Sequence, residues 1–116
     1  MGTTLTKLSL VGDGEEIVLE TMADTGATYS VFPREVLDSL GIQPAKVVEI
    51  QLGDGSIITR KMGSAKVRLN GDTFPVTVIF GESGDTSVLG LTALEIFGLS
   101  VDPVNRRLVP ARILWL

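Results

Sequence analysis

Ile17-Val18-Leu19-Glu20-Thr21-Met22-Ala23-Asp24-Thr25-Gly26-Ala27 is the stretch on which the fold of this chain turns. An apolar, partly β-branched approach runs into an acid, a hydroxyl and a glycine. Ile17 to Asp24 has the composition of a strand, and Gly26 belongs to the turn that follows. An acid at that junction is held by the sheet behind it, the placement expected of a reactive group on a rigid element. Thr25 offers a hydroxyl to brace neighbouring backbone, and Gly26 tolerates angles and close approaches denied to other residues. Asp-Thr-Gly also serves as an ordinary Asx-type turn, so the three residues alone leave both readings open.

Upstream, Lys7 to Val11 alternates polar and apolar side chains, and Gly12-Asp13-Gly14 turns the chain back towards Ile17. That pattern predicts a β-hairpin, because Asp-Gly accepts the positive φ angles of a tight turn. Downstream, Pro33 opens a predicted short helix through Leu40, with Val36, Leu37 and Leu40 on one face and Gly41 ending it. Val47 to Leu52 alternates again, turns at Gly53-Asp54-Gly55 and resumes at Ile57 to Thr59. The clearest hairpin is Ala65 to Leu69, Asn70-Gly71-Asp72, then Phe74 to Phe80. Thr86 to Leu89 reads as a short strand, Leu91 to Phe97 as a second helix stopped by Gly98. Leu99 to Val101 and Arg107 to Val109 flank a turn at Asp102 to Asn105. The apolar tail Ile113 to Leu116 holds the only tryptophan.

Two parts of this pattern echo each other. Met22 to Gly26 followed by Val36 to Ile42 reads strand, glycine turn, helix, Leu-Gly-Ile. Val88 to Gly90 followed by Ala93 to Leu99 reads strand, glycine turn, helix, Phe-Gly-Leu. Only the first copy carries the acid. Two such units are too few for a solenoid and fit strands arranged with rough two-fold symmetry around one core. Short β-rich chains also produce such echoes by chance.

With 116 residues the chain is expected to form one domain, and a second copy would add core to so small a unit. The net charge of −4 disfavours a nucleic-acid partner. Histidine and cysteine are both absent, which excludes a Ser-His-Asp triad, a cysteine nucleophile, a His/Cys zinc site and any disulfide. Chemistry must then rest on carboxylates, hydroxyls, lysine or backbone groups. No apolar run approaches the length of a membrane span, and Met1-Gly2 with Thr6 is read as a plain start rather than an acylation signal. No membrane partner is expected, and these absences make the cytoplasm the expected address. Asp13, Glu15 and Glu16 lack calcium-loop spacing and read as a solvated turn. Gly53-Asp54-Gly55 lacks the context of a phosphate loop. Phe32, Phe74, Phe80 and Phe97 read as core, and nothing calls for a metal or cofactor. A glycosidase would need a second well-placed acid, and neither Glu20 nor Asp38 has a suitable setting.

Asp24-Thr25-Gly26-Ala27-Thr28, entered from an apolar strand and followed by Val31-Phe32-Pro33, resembles the active-site loop of retroviral-type (retropepsin-like) aspartic proteases. Ser87-Val88-Leu89-Gly90-Leu91 with Leu94 resembles the later apolar-apolar-Gly segment of that family and its helix. Phe97-Gly98-Leu99-Ser100-Val101-Asp102-Pro103 with Leu108 is similar to the ending of its cellular and bacterial relatives. The resemblance runs from about Leu8 to Leu108.

It implies an all-β fold, a closed or partly open acid-protease barrel with one or two short helices. It implies an aspartic endopeptidase working as a homodimer on a peptide in extended conformation, with no cofactor. Asp24 would be the catalytic carboxylate, paired with Asp24 of a second subunit. Thr25 would join the bonds between the two loops, Gly26 would permit their approach, and Val88-Leu89-Gly90 would pack behind them. The hairpin at Gly53-Asp54-Gly55 would be the flap over the substrate. The chain departs from the pattern at Ala23, where a larger apolar residue is common, and in a polar flap with Asp54, Arg60 and Lys61. Arg112 to Leu116 extends beyond the matching part and offers an interface strand, a core plug or a piece of a longer chain. The alternative reading is an inactive relative kept for dimerisation or peptide binding.

Overall fold

A computed structural model describes residues 3–112; Met1-Gly2 and the tail from Ile113 lie outside the described residues. Strands β1 (Thr4–Gly12) and β2 (Glu15–Asp24) pair antiparallel throughout, from Thr4 opposite Ala23 to Gly12 opposite Glu15. Asp13-Gly14 makes the two-residue turn between them. Alternation along β1 sends Leu8 and Leu10 into the core and leaves Leu5 exposed.

Chain order continues with β3 (Ser30–Pro33), α1 (Arg34–Ser39), β4 (Pro44–Gln51), β5 (Ile57–Leu69) and β6 (Asp72–Gly81). After them come β7 (Val88–Gly90), α2 (Leu91–Ile96), β8 (Leu99–Asp102) and β9 (Arg107–Pro110). The large sheet runs β1-β2-β7-β3-β6-β5-β4, and β1 also pairs with β5. That extra pairing, Ser9 to Val11 against Lys66 to Arg68, closes six strands into a barrel and leaves β4 as an appendage.

β5 explains both features. The sequence split this stretch at Arg60 to Ser64, but β5 runs unbroken over 13 residues. One edge pairs with β4 over Ile57 to Gly63 and with β1 further on; the other pairs with β6 only from Met62. Paired edges carried the strand through a polar and glycine-containing segment that local composition disfavoured. The half before Met62 has left the barrel, so β4 and early β5 form a projecting hairpin.

β3 was not recognised as a strand in the sequence, being four residues long and running straight into a helix. It is central in the fold, parallel to β6 and antiparallel to β7 at Val31 opposite Val88. The strand–turn–helix unit does occur twice, with one more strand in each copy than the sequence revealed. β2, a loop, β3 and α1 form one copy; β6, a loop, β7 and α2 form the other. β2 lies parallel to β7 and β3 parallel to β6, so each copy lends a strand to the other. By this pairing Val88 to Gly90 corresponds to Val31 to Pro33, and the counterpart of the Asp24 loop is the loop after β6.

Pro33 ends β3 and caps α1 rather than starting it, since α1 begins at Arg34. At the other end Gly41, with φ of 75°, takes the left-handed position after the helix. Its N–H donates to the Asp38 carbonyl and that of Ile42 to the Leu37 carbonyl, the paired bonds of a Schellman ending. The core gathers Phe32, Leu37, Val67, Val78, Phe80, Leu89 and Leu94 between barrel and helices. Phe97 packs against its margin. Phe74 does not enter it: early in β6 it is 40% exposed and meets Phe97 edge to face at 5.3 Å. No helix among the described residues is long and apolar enough to cross a membrane.

Leu37 is wholly buried on α1, so Leu37→Ala is expected to cost about 2–5 kcal/mol of stability. Val18, largely exposed, should tolerate alanine within about 0.5 kcal/mol. Urea unfolding of the two variants checks the pair; similar losses would contradict this placement of the core.

Candidate active site

Asp24 is the last residue of β2, where parallel pairing sets it beside Gly90 of β7. The chain then turns through Thr25 to Tyr29 before β3. The Gly26 N–H donates to Asp24 Oδ1 at 2.8 Å, and the Ala27 N–H donates to the Asp24 carbonyl at 3.3 Å. These bonds fold the loop back around the acid and fix its side chain. Any Cβ on residue 26 would stand 3.1 Å from Asp24 Oδ1, so a side chain there would crowd the carboxylate.

The loop is fastened from behind by the second unit. The Leu91 N–H donates to the Ala27 carbonyl at 2.7 Å and the Thr92 N–H to the Thr28 carbonyl at 3.1 Å. Those donors open α2, where first-turn N–H groups have no partner within the helix. Immediately before them, the Gly90 N–H donates to Ser30 Oγ at 3.0 Å in the buried interior. A Cβ at Gly90 would lie 2.6 Å from the Tyr29 carbonyl and 2.9 Å from that of Ala27. Only glycine permits this packing.

In front of the loop lies a cleft of about 650 Å³, within the usual range for ligand sites. Asp24, Gly26 and Ala27 stand at one side. Val31, Ile79 and Met62, neighbours across β3, β6 and β5, give it an apolar floor. Val48, Ile50 and Leu52 reach it from the projecting hairpin, with Lys46, Glu49 and Gln51 as its polar residues. The hairpin tip is a self-contained polar turn. Leu52 and Ser56 are bonded across it, and Asp54 Oδ1 accepts from the Ser56 N–H at 2.9 Å and from the Ser56 hydroxyl. Those bonds hold the Asp54 carboxyl below its ordinary range. Gly53-Asp54-Gly55 therefore sits at the apex, with Gln51 opposite Ile57.

Of the residues singled out in the sequence, Asp24 and Gly26 both line the cleft. Thr25 lies between them, exposed, and is not part of the lining. Asp24 forms no ion pair among the described residues. Asp13 lies on the exposed β1–β2 turn, and Glu15 and Glu16 are the exposed first residues of β2, where Glu16 pairs with Arg68. Sequence reasoning missed the Ser30 hydroxyl that supports the loop and the floor residues Val31, Ile79 and Met62. The serine beside the apolar Val31-Phe32 was an available signal; the floor depends on strand register, which has no local signature.

A family model described as aspartyl protease matches residues 9–93, from β1 into α2 and including the Asp24 loop, the hairpin and the whole cleft. No curated protein matched the chain. A barrel closed by β1 on β5, an acid braced at the end of β2 and this family match over most of the sequence agree: the chain belongs to the retropepsin-like aspartyl proteases.

Proposed function

We infer that this protein is an endopeptidase whose catalytic pair consists of Asp24 from each of two subunits. The observation that carries the reading is one acid on a strand-end loop, braced from behind at the side of a peptide-sized cleft whose other acid, Glu49, belongs to the projecting hairpin. The internal counterpart of that loop supplies no second acid for the reaction. Its Glu82 pairs with Arg34 and its Asp85 with Arg60, and neither lines the cleft. A second copy related by a two-fold axis would bring its own Asp24 loop up to the first, with the same surface used on both sides.

Two carboxylates a few ångströms apart cannot both ionise cheaply, so the pair would hold one proton and titrate as a unit. The ionised member takes a proton from water as the water attacks the peptide carbonyl. The protonated member stabilises the developing oxygen and passes a proton to the leaving amine. Exposed Thr25 would bond across the axis, and the bare Gly26 would leave space for the approach. The β4–β5 hairpin would close over an extended peptide, whose apolar side chains meet Val31, Ile79 and Met62. A cytoplasmic setting is part of this reading and rests on the cysteine-free sequence.

Asp24→Asn is expected to lower cleavage of an unstructured peptide library by at least about a hundredfold, while fold and dimer persist. Assays over about pH 3 to 8 cover the range open to a coupled pair. Activity near wild type would remove Asp24 from the mechanism. Loss of cleavage in the wild type itself, with peptide binding retained, would favour an inactive binding relative. Specific activity should also fall on dilution, in step with dimer dissociation followed by sedimentation. A constant specific activity through dissociation would contradict the shared site.

A further inference from the structure

The loop after β6 has no chemistry in the reading above, yet it makes the best-shielded ion pair among the described residues. Arg60 Nε donates to Asp85 Oδ2 at 2.8 Å and Arg60 Nη2 to Asp85 Oδ1 at 3.1 Å. The two side chains are 18% and 27% exposed, whereas those of every other pair are at least 38% exposed. Asp85 Oδ2 also accepts from the Glu82 N–H at 2.7 Å, and Arg60 Nη1 donates to the Thr59 carbonyl at 2.9 Å. Both ends are thus tied to backbone. A two-point guanidinium–carboxylate fork fixes direction as well as distance.

The position of this fork gives it a consequence. Pairing of β5 with β6 begins only at Met62, so Arg60 lies in the part of β5 that has left the barrel. Directly opposite Arg60 on β4 is Val48, which lines the cleft. At the other end, Asp85 packs beside Gly81, which pairs with Pro33, two residues beyond the floor residue Val31. The fork therefore joins the projecting hairpin to the barrel wall at a level where no strand pairing does so.

We propose that Arg60 and Asp85 form a strut that sets the height of the β4–β5 hairpin over the cleft, making both of them positioning residues for substrate. The proposal rests on reading the cleft as the peptide site. Arg60 holds the Asp85 carboxyl below its ordinary range, so the strut is intact above the unfolded pKa of about 3.9 and is lost only as pH falls through the lowered folded value. It consequently stands throughout near-neutral assays.

The test compares the full chain with Arg60→Ala, Asp85→Asn and the double variant at pH 7. Hydrogen exchange without substrate should quicken by about tenfold at residues 47–51 and 57–60 in each single variant, as for local opening of a small unit. The double variant should match the singles, because both remove one contact. β1, β2 and α1 should exchange as in the wild type. In peptide cleavage, KM should rise several-fold more than kcat falls, and Arg60→Lys should recover part of the loss. Unchanged hairpin exchange, or quickening spread evenly over the barrel, would overturn the strut. Absence of Asp24-dependent cleavage in the wild type would instead defeat the peptidase reading, leaving exchange and peptide affinity for Asp24→Asn to judge the strut.

Discussion

Gly90 and the backbone of Ala27 to Tyr29 lie so close that no side chain fits between them. The rest of the site depends on that approach. It brings the Leu91 and Thr92 N–H groups onto the loop carbonyls and the Gly90 N–H onto Ser30. The bond from Gly90 to the buried Ser30 hydroxyl uses groups that would otherwise be costly to bury. The Asp24 loop is consequently held by the second strand–loop–strand–helix unit as much as by its own strand. The symmetry of the fold serves to support one acid.

The same exchange of strands explains why the barrel closes where it does. β2 beside β7 and β3 beside β6 put the two loops on a common framework, and long β5 then joins β6 to β1. One unit delivers its loop to the cleft. The other unit's loop binds Arg34 and Arg60. Related backbones thus carry acids in different settings, one lining the cleft and the others held in ion pairs. A carboxylate answered by a guanidinium is occupied; Asp24 has no such partner among the described residues and lines the cleft.

Much of this was legible in the sequence because it rests on local chemistry. Asp13-Gly14 and Asn70-Gly71 announced their hairpins, and Gly41 and Gly98 marked the helix ends. Asp24 stood out as an acid at the end of an apolar strand. What stayed hidden depends on partners distant along the chain. β3 is too short to show a period, and β5 crosses Arg60 to Ser64 only because neighbouring strands bond it on its edges. Phe74 carries the composition of a core residue but occupies a position that the barrel leaves outside. The Arg60–Asp85 fork spans 25 positions and has no local signal at either end.

The central claim is that one active site draws an Asp24 from each of two chains. Mixing wild type with Asp24→Asn at constant total concentration, after subunits have exchanged, tests it most directly. A shared site makes mixed dimers inactive, so an equal mixture should retain about a quarter of the wild-type rate. Retention of about half, proportional to the wild-type chains present, would mean that each chain carries a complete site and would contradict the account.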